Sequence, residues 1–192
     1  MRWYAVTMFV HVLGVIATFG GFAMQQRSGG RLRSATQTGE ARFWSDVLRM
    51  TRSMVPSGAV MLLVTGAYLS YRMSGSHPPA WVIVAAVAVA GIGAAALTLV
   101  NPGFDAIARG VAGGDTSLPR EAAARIGSAI TWGAHSAANG AALGTLWLMT
   151  ARPGLTESVL AVTLPALVGG VVGARLAAKA RLAQTAAAVH SP

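Results

Sequence analysis

Apolar positions in this chain gather into long runs almost free of charge, and windows of about 18 residues or more recur five times. They lie near Trp3–Met24, Met54–Tyr71, Ala80–Val100, Ser128–Thr150 and Ser158–Ala174. Each suits the ~20 residues that ~30 Å of hydrocarbon requires of a helix, and lipid offers no water to satisfy an open backbone. The pattern predicts an all-α, multi-pass transmembrane helical bundle of five spans, a single integral membrane domain over residues 1–192.

The connections carry their own signals. Gln25 to Arg33 is polar and Gly-rich and reads as a turn at the lipid headgroups. From Glu40 to Met54, Phe43, Trp44, Val47, Leu48 and Met50 alternate with Arg42, Asp46, Arg49 and Arg52 at helical spacing. That pattern predicts an interfacial helix near 40–53, or a cytoplasmic extension of the second span. His77-Pro-Pro79 makes a short turn, Asn101-Pro-Gly103 is expected to stop the third helix, and Gly113 to Pro119 to break the next loop. Small residues fill the third span, with Gly91 and Gly93, and the fifth, with Pro165, Gly169, Gly170 and Gly173. Such faces let helix backbones approach closely, within the bundle or between subunits.

Within three spans the polar residues line up at steps of three and four. The first gives Thr7, His11, Gly14, Thr18 and Gly21; the second Ser57, Met61, Thr65, Tyr68 and Arg72; the fourth Ser128, Thr131, His135, Asn139, Ala142 and Thr145. Polar groups facing lipid are costly, so these faces are expected to turn inward and line a shared interior.

Composition agrees with the pattern: 54% of the 192 residues are hydrophobic and 11% charged. A net charge of +9 invites a nucleic-acid partner, but the position of the cations argues against one. Twelve of the fifteen Lys and Arg residues fall after the first, third and fifth spans, leaving Arg2, Arg72 and Arg152 on the other side. The asymmetry predicts an N-terminus outside, a C-terminus inside, and anionic headgroups against the basic side. With its long apolar run and trailing charges, the first span reads as a retained anchor rather than a cleaved signal peptide. The bacterial cytoplasmic (inner) membrane is the expected location.

The chain has no cysteine, which removes disulfides and thiolate chemistry. All six acids, Glu40, Asp46, Asp105, Asp115, Glu121 and Glu157, lie in loops or at span ends. A proton relay or cation-coupled transporter normally keeps a carboxylate within the membrane. Sequence motifs for hydrolases and phosphate loops are absent too, so an enzyme is not the favoured expectation.

Two intramembrane histidines without carboxylates suit a cofactor that takes neutral imidazole. Haem b or a related porphyrin held by His11 and His135 is one expectation, with Arg72, Tyr68 and Asn139 lining the pocket. Copper bound by Met8, His11 and Met61 is another. A third is no cofactor at all: each imidazole is satisfied by a neighbouring hydroxyl or carbonyl, and the chain is an accessory subunit.

The run Phe9-Val-His11-Val-Leu-Gly14, then Phe19-Gly-Gly21, then Val55-Pro-Ser-Gly58 leading to Leu63-Val-Thr65-Gly66-Ala-Tyr68, resembles the DUF2269 family of integral membrane proteins. These in turn are similar to bundles of the copper-resistance D and membrane-bound protoporphyrinogen oxidase types. The resemblance covers the first four spans, to about Arg152. It implies a four-helix core with His11 as the family-type histidine, and a structural role for Pro56, Thr65 and Gly66. The chain departs from the family in its fifth span after Pro153 and in having no basic residue within the first span beside its histidine. Together these features lead to three expectations: a haem- or porphyrin-binding subunit of an electron-transfer complex; a cofactor-free accessory subunit contacting a larger complex, or a second copy, through the third and fifth spans; and a copper-handling protein.

Overall fold

A computed structural model describes residues 2–112 and 120–189. The Gly113–Pro119 break and His190 lie outside the described residues. Every regular element among the described residues is helical: α1 (Arg2–Ser34), α2 (Thr38–Thr51), α3 (Met54–Ser74), α4 (Ala80–Ala95), a π-turn (Ala96–Val100), α5 (Asn101–Gly110), α6 (Arg120–Ile126), α7 (Ala129–Ala151) and α8 (Leu155–Val189). Among the described residues, four stretches are long and apolar enough to cross a membrane: Arg2–Ser34, Thr38–Ser74, Ala80–Gly110 and Leu155–Ala183. This is the build of a membrane protein. At 23 residues, or about 34 Å, α7 is also long enough, but its histidine, asparagine, serine and threonines make it less apolar.

Two antiparallel pairs form the bundle, α1 with α3 and α7 with α8, and α4 packs between them. Glycine sets the spacing in both pairs. On α7, a Cβ added at Gly144 would lie 2.1 Å from the Ala161 carbonyl oxygen, and one at Gly140 would lie 2.0 Å from that of Pro165. From the α8 side, Cβ atoms at Gly169 and Gly173 would lie 2.3 and 2.4 Å from the carbonyl oxygens of Ser136 and Trp132. The α8 stripe Ala161, Pro165, Gly169, Gly173, Ala177 repeats every four residues, so successive turns meet α7 backbone to backbone. A similar seam joins α1 to α3, where Gly14 meets Met61 and Leu62, and Gly58 meets Thr18.

Two turn expectations are corrected. Gln25 to Arg33 continues α1 as helix to Ser34. One side of this stretch is buried: Gln25 donates from Nε2 to the Thr51 carbonyl at 3.0 Å, Ser28 is buried, and the Trp132 ring lies against Gly29, while Gln26, Arg27 and Arg31 are exposed. Nor does Asn101-Pro-Gly103 stop the third helix, which runs on to Gly110. In the π-turn the Asn101 N–H bonds to the Ala96 carbonyl, shifting the ladder by one residue just before Pro102, where a donor is missing.

These extensions build a cap on one end of the bundle. The last turns of α1 join α2, α5, α6, the start of α7 and the end of α8 around Leu32, Leu48, Phe104, Ile107, Ile126 and Trp132. The expected helix near 40–53 is α2, but its apolar residues divide between two sides: Leu48 is buried in the cap, while Phe43 and Met50 are exposed. Arginines tie the cap together. Arg52 pairs with Asp105 at 2.8 Å, Arg42 donates to the Ala112 carbonyl at 2.7 Å, and Arg125 donates to the Ala106 carbonyl at 3.1 Å and pairs with Glu121.

The glycine seam predicts a position-specific cost. Gly140→Ala or Gly169→Ala should destabilise the protein by about 1–3 kcal/mol, read as thermal unfolding in detergent, whereas Gly91→Ala, with nothing within 4 Å, should change it little.

Candidate functional site

The inward-facing stripes are largely as the spacing predicts. On α7, Thr131, His135, Ala142 and Thr145 are buried, and Ser128 and Asn139 are partly so. Gly14, Thr18 and Gly21 on α1 are buried, with Thr7 and His11 half-buried. On α3 the stripe frays at its ends: Thr65 is buried, Met61 and Tyr68 are half-buried, and Ser57 and Arg72 are exposed.

His11 packs against α3. Its Nδ1 lies 2.8 Å from Thr65 Oγ1, and that hydroxyl donates to the Met61 carbonyl at 2.5 Å. Having given away its hydrogen, the hydroxyl can only accept, so Nδ1 of the neutral ring carries the proton and Nε2 keeps a lone pair. Gly66, one residue on, leaves space for the ring: a Cβ there would sit 3.6 Å from His11 Cε1.

His135 stands in different surroundings. It is 1% exposed, and neither ring nitrogen has a hydrogen-bond partner. Three aromatic rings enclose it: Phe22 of α1 at 5.6 Å between centroids, Trp132 at 5.9 Å and edge-on, and Phe104 of α5 at 6.0 Å. Trp132 is itself anchored, donating from its indole N–H to the Ile126 carbonyl at 2.7 Å, with the Arg33 guanidinium 4.4 Å above its ring. His135 thus belongs to the junction between bundle and cap, level with the start of α3, since Gly21, beside Phe22, faces Met54 and Val55.

The structure does not bring the two histidines together. His135 touches α1 at Phe22, eleven residues beyond His11, or about 16 Å along the helix. One macrocycle cannot take both as axial ligands in this arrangement. The cleft between α1, α3, α4 and α7, lined by Val15, Leu62, Ile92 and Thr145, holds about 20 Å³, enough for one water. Both nitrogens of His135 are covered by protein, so a bis-histidine haem does not fit. Of the copper set, Met8 is exposed, while Met61 meets α1 at Gly14, one turn inward from His11. Among the described residues no three His, Cys, Asp or Glu side chains converge as a metal site.

Sequence reasoning missed the aromatic cage. Trp132 could have been found, because it stands one turn before His135 on the same face of α7. Phe22 and Phe104 could not, because each lies next to a stretch read as a break that proved helical. No family model, curated protein or solved structure matches the chain.

The two histidines should respond oppositely to substitution. Thr65→Val should cost about 1 kcal/mol by stranding His11 Nδ1, and Thr65→Ser should restore it. His135→Leu replaces an unpartnered imidazole with an apolar group of similar size and should be neutral or stabilising; both are read from unfolding in detergent.

Proposed function

We propose that the chain is a five-span protein of a bacterial cytoplasmic membrane, N-terminus outside and C-terminus inside, acting as a non-catalytic subunit of a larger membrane assembly. The distribution of Arg and Lys supports the orientation, and the cap gathers many of those residues at one end. That α7 is the fifth span is supported by its enclosure, since a helix shielded by α4 and α8 can carry polar groups that lipid would reject.

The observation that carries the subunit reading is a difference between the two small-residue stripes. The one on α8 is occupied within the chain by α7. On α4, Ala86, Ala90, Gly91 and Ala94 share an exposed side with Ile83, Val87 and Leu97, and Gly91 has nothing within 4 Å. Small residues set between larger apolar ones leave notches on this open face, which suit the approach of another transmembrane helix. The interior polar groups add support, because those of His11, Thr18, Gln25 and Thr145 are hydrogen-bonded within the chain.

The absence of cysteine makes the test clean. Ala90→Cys should give a discrete cross-linked species in native membranes, Val64→Cys on the exposed side of α3 should not, and Ala90→Leu should release whatever co-purifies. Equal cross-linking at both positions would contradict the reading.

A second reading is favoured by the lone pair on His11 Nε2. Haem b, another porphyrin or copper would be held there, making the chain an electron-transfer or copper-handling subunit. The tautomer imposed by Thr65 leaves that nitrogen as the available ligand atom. On this reading a visible or copper signal in purified protein is lost in His11→Ala and kept in His135→Ala.

A further inference from the structure

At the capped end, α6, the turn into α7, and α8 enclose an open groove of about 920 Å³. Its lining has two characters. Arg125 of α6 and Arg181 of α8 bring positive charge, and Glu121, paired with Arg125, is the acid among the described lining residues. Ile130 and Leu182, each 73% exposed, bring apolar surface on the same walls. Ser128 begins α7 on the groove floor, its Oγ accepting from the Thr131 N–H at 3.3 Å.

Gly127 lets the two sides meet. A Cβ at Gly127 would lie 2.6 Å from Arg181 Cβ and 3.3 Å from its Cα, so α8 closes on the turn only because that position is glycine. The contact fixes where Arg181 leaves α8 and sets both cations around one opening.

We propose that this groove is a binding site for one anionic phospholipid, its phosphate at Arg125 and Arg181 and its acyl chains along Ile130 and Leu182. Charge complementarity selects the anion. The exposed aliphatic residues select a lipid over a free phosphate, which would leave them against water. The groove's size lies in the range of small-molecule sites, and its place on α8 beyond the apolar run that ends near Ala174, among Arg175, Lys179 and Arg181, is where headgroups lie. The proposal goes beyond the subunit reading and requires only that the chain sits in a bilayer.

The test is native mass spectrometry of the delipidated full-length protein titrated with phosphatidylglycerol or phosphatidylcholine. Wild type should retain one phosphatidylglycerol in preference to phosphatidylcholine, and millimolar inorganic phosphate should not displace it. Arg181→Gln should weaken retention roughly tenfold, as expected for one charge-assisted contact. Ile130→Ser, which keeps both cations, should also weaken it, while Arg31→Gln on α1, an equal loss of charge elsewhere, should not. Equal weakening by Arg31→Gln would reduce the effect to general surface charge and overturn the site. Displacement by phosphate, or unchanged retention in both Arg181→Gln and Ile130→Ser, would also overturn it. Loss of membrane association in wild type would instead count against the membrane reading, so the two failures are distinguishable.

Discussion

The contact between glycine and backbone carbonyl along α7 and α8 is the constraint on which the rest of this structure depends. In lipid there is no hydrophobic gain in bringing two helices together, so association rests on packing and on polar contacts. Four glycines, at 140, 144, 169 and 173, remove side chains where carbonyls of the partner helix pass. The helices then touch along four successive turns, and weak Cα–H···O contacts add to the dispersion gained. The seam also explains how a helix carrying His135, Asn139, Thr131 and Thr145 can stand among apolar neighbours. With α8 on one side and α4 on another, α7 keeps most of its polar side chains out of lipid.

Closing that seam positions the cap. Trp132 is both the residue whose carbonyl faces Gly173 and the ring that fills the space above Gly29 of α1. It therefore joins the two helix pairs through one side chain, held by Ile126 below and Arg33 above. His135 sits one turn further along and inherits the enclosure that Trp132, Phe104 and Phe22 create. An unpartnered imidazole there costs about 1–3 kcal/mol, a cost the aromatic packing offsets in part. His11 is different in kind: its Nδ1 is tied to α3 through Thr65, and its Nε2 remains a lone pair. The two histidines share a residue type and little else.

The large features of the fold are legible in the sequence because they follow from transfer energies. Long apolar runs become helices, and the polar stripe of α7 turns inward almost residue for residue. What the sequence conceals depends on what lies across from a residue. Gln25 and Ser28 look like a solvated turn until α2 and α7 are placed against them. Pro102 looks like a helix stop until a π-turn moves the hydrogen-bond register. His11 and His135 look like a facing pair because span boundaries alone cannot show that α1 runs to Ser34, which carries the level of His135 well past His11. The candidate chemistry was thus readable as residue types and not as a constellation.

The central claim is that α7 is held antiparallel to α8 in one register by backbone-to-backbone contact. A Cβ at Gly133 would lie 3.5 Å from that of Ala174, within the range a disulfide spans. The direct measurement is oxidation, in native membranes, of the double variant Gly133→Cys with Ala174→Cys, beside Gly133→Cys with Ala178→Cys, displaced by one turn. The account predicts rapid intramolecular cross-linking in the first pair and little in the second. Cross-linking of the displaced pair in preference, or of neither, would contradict it.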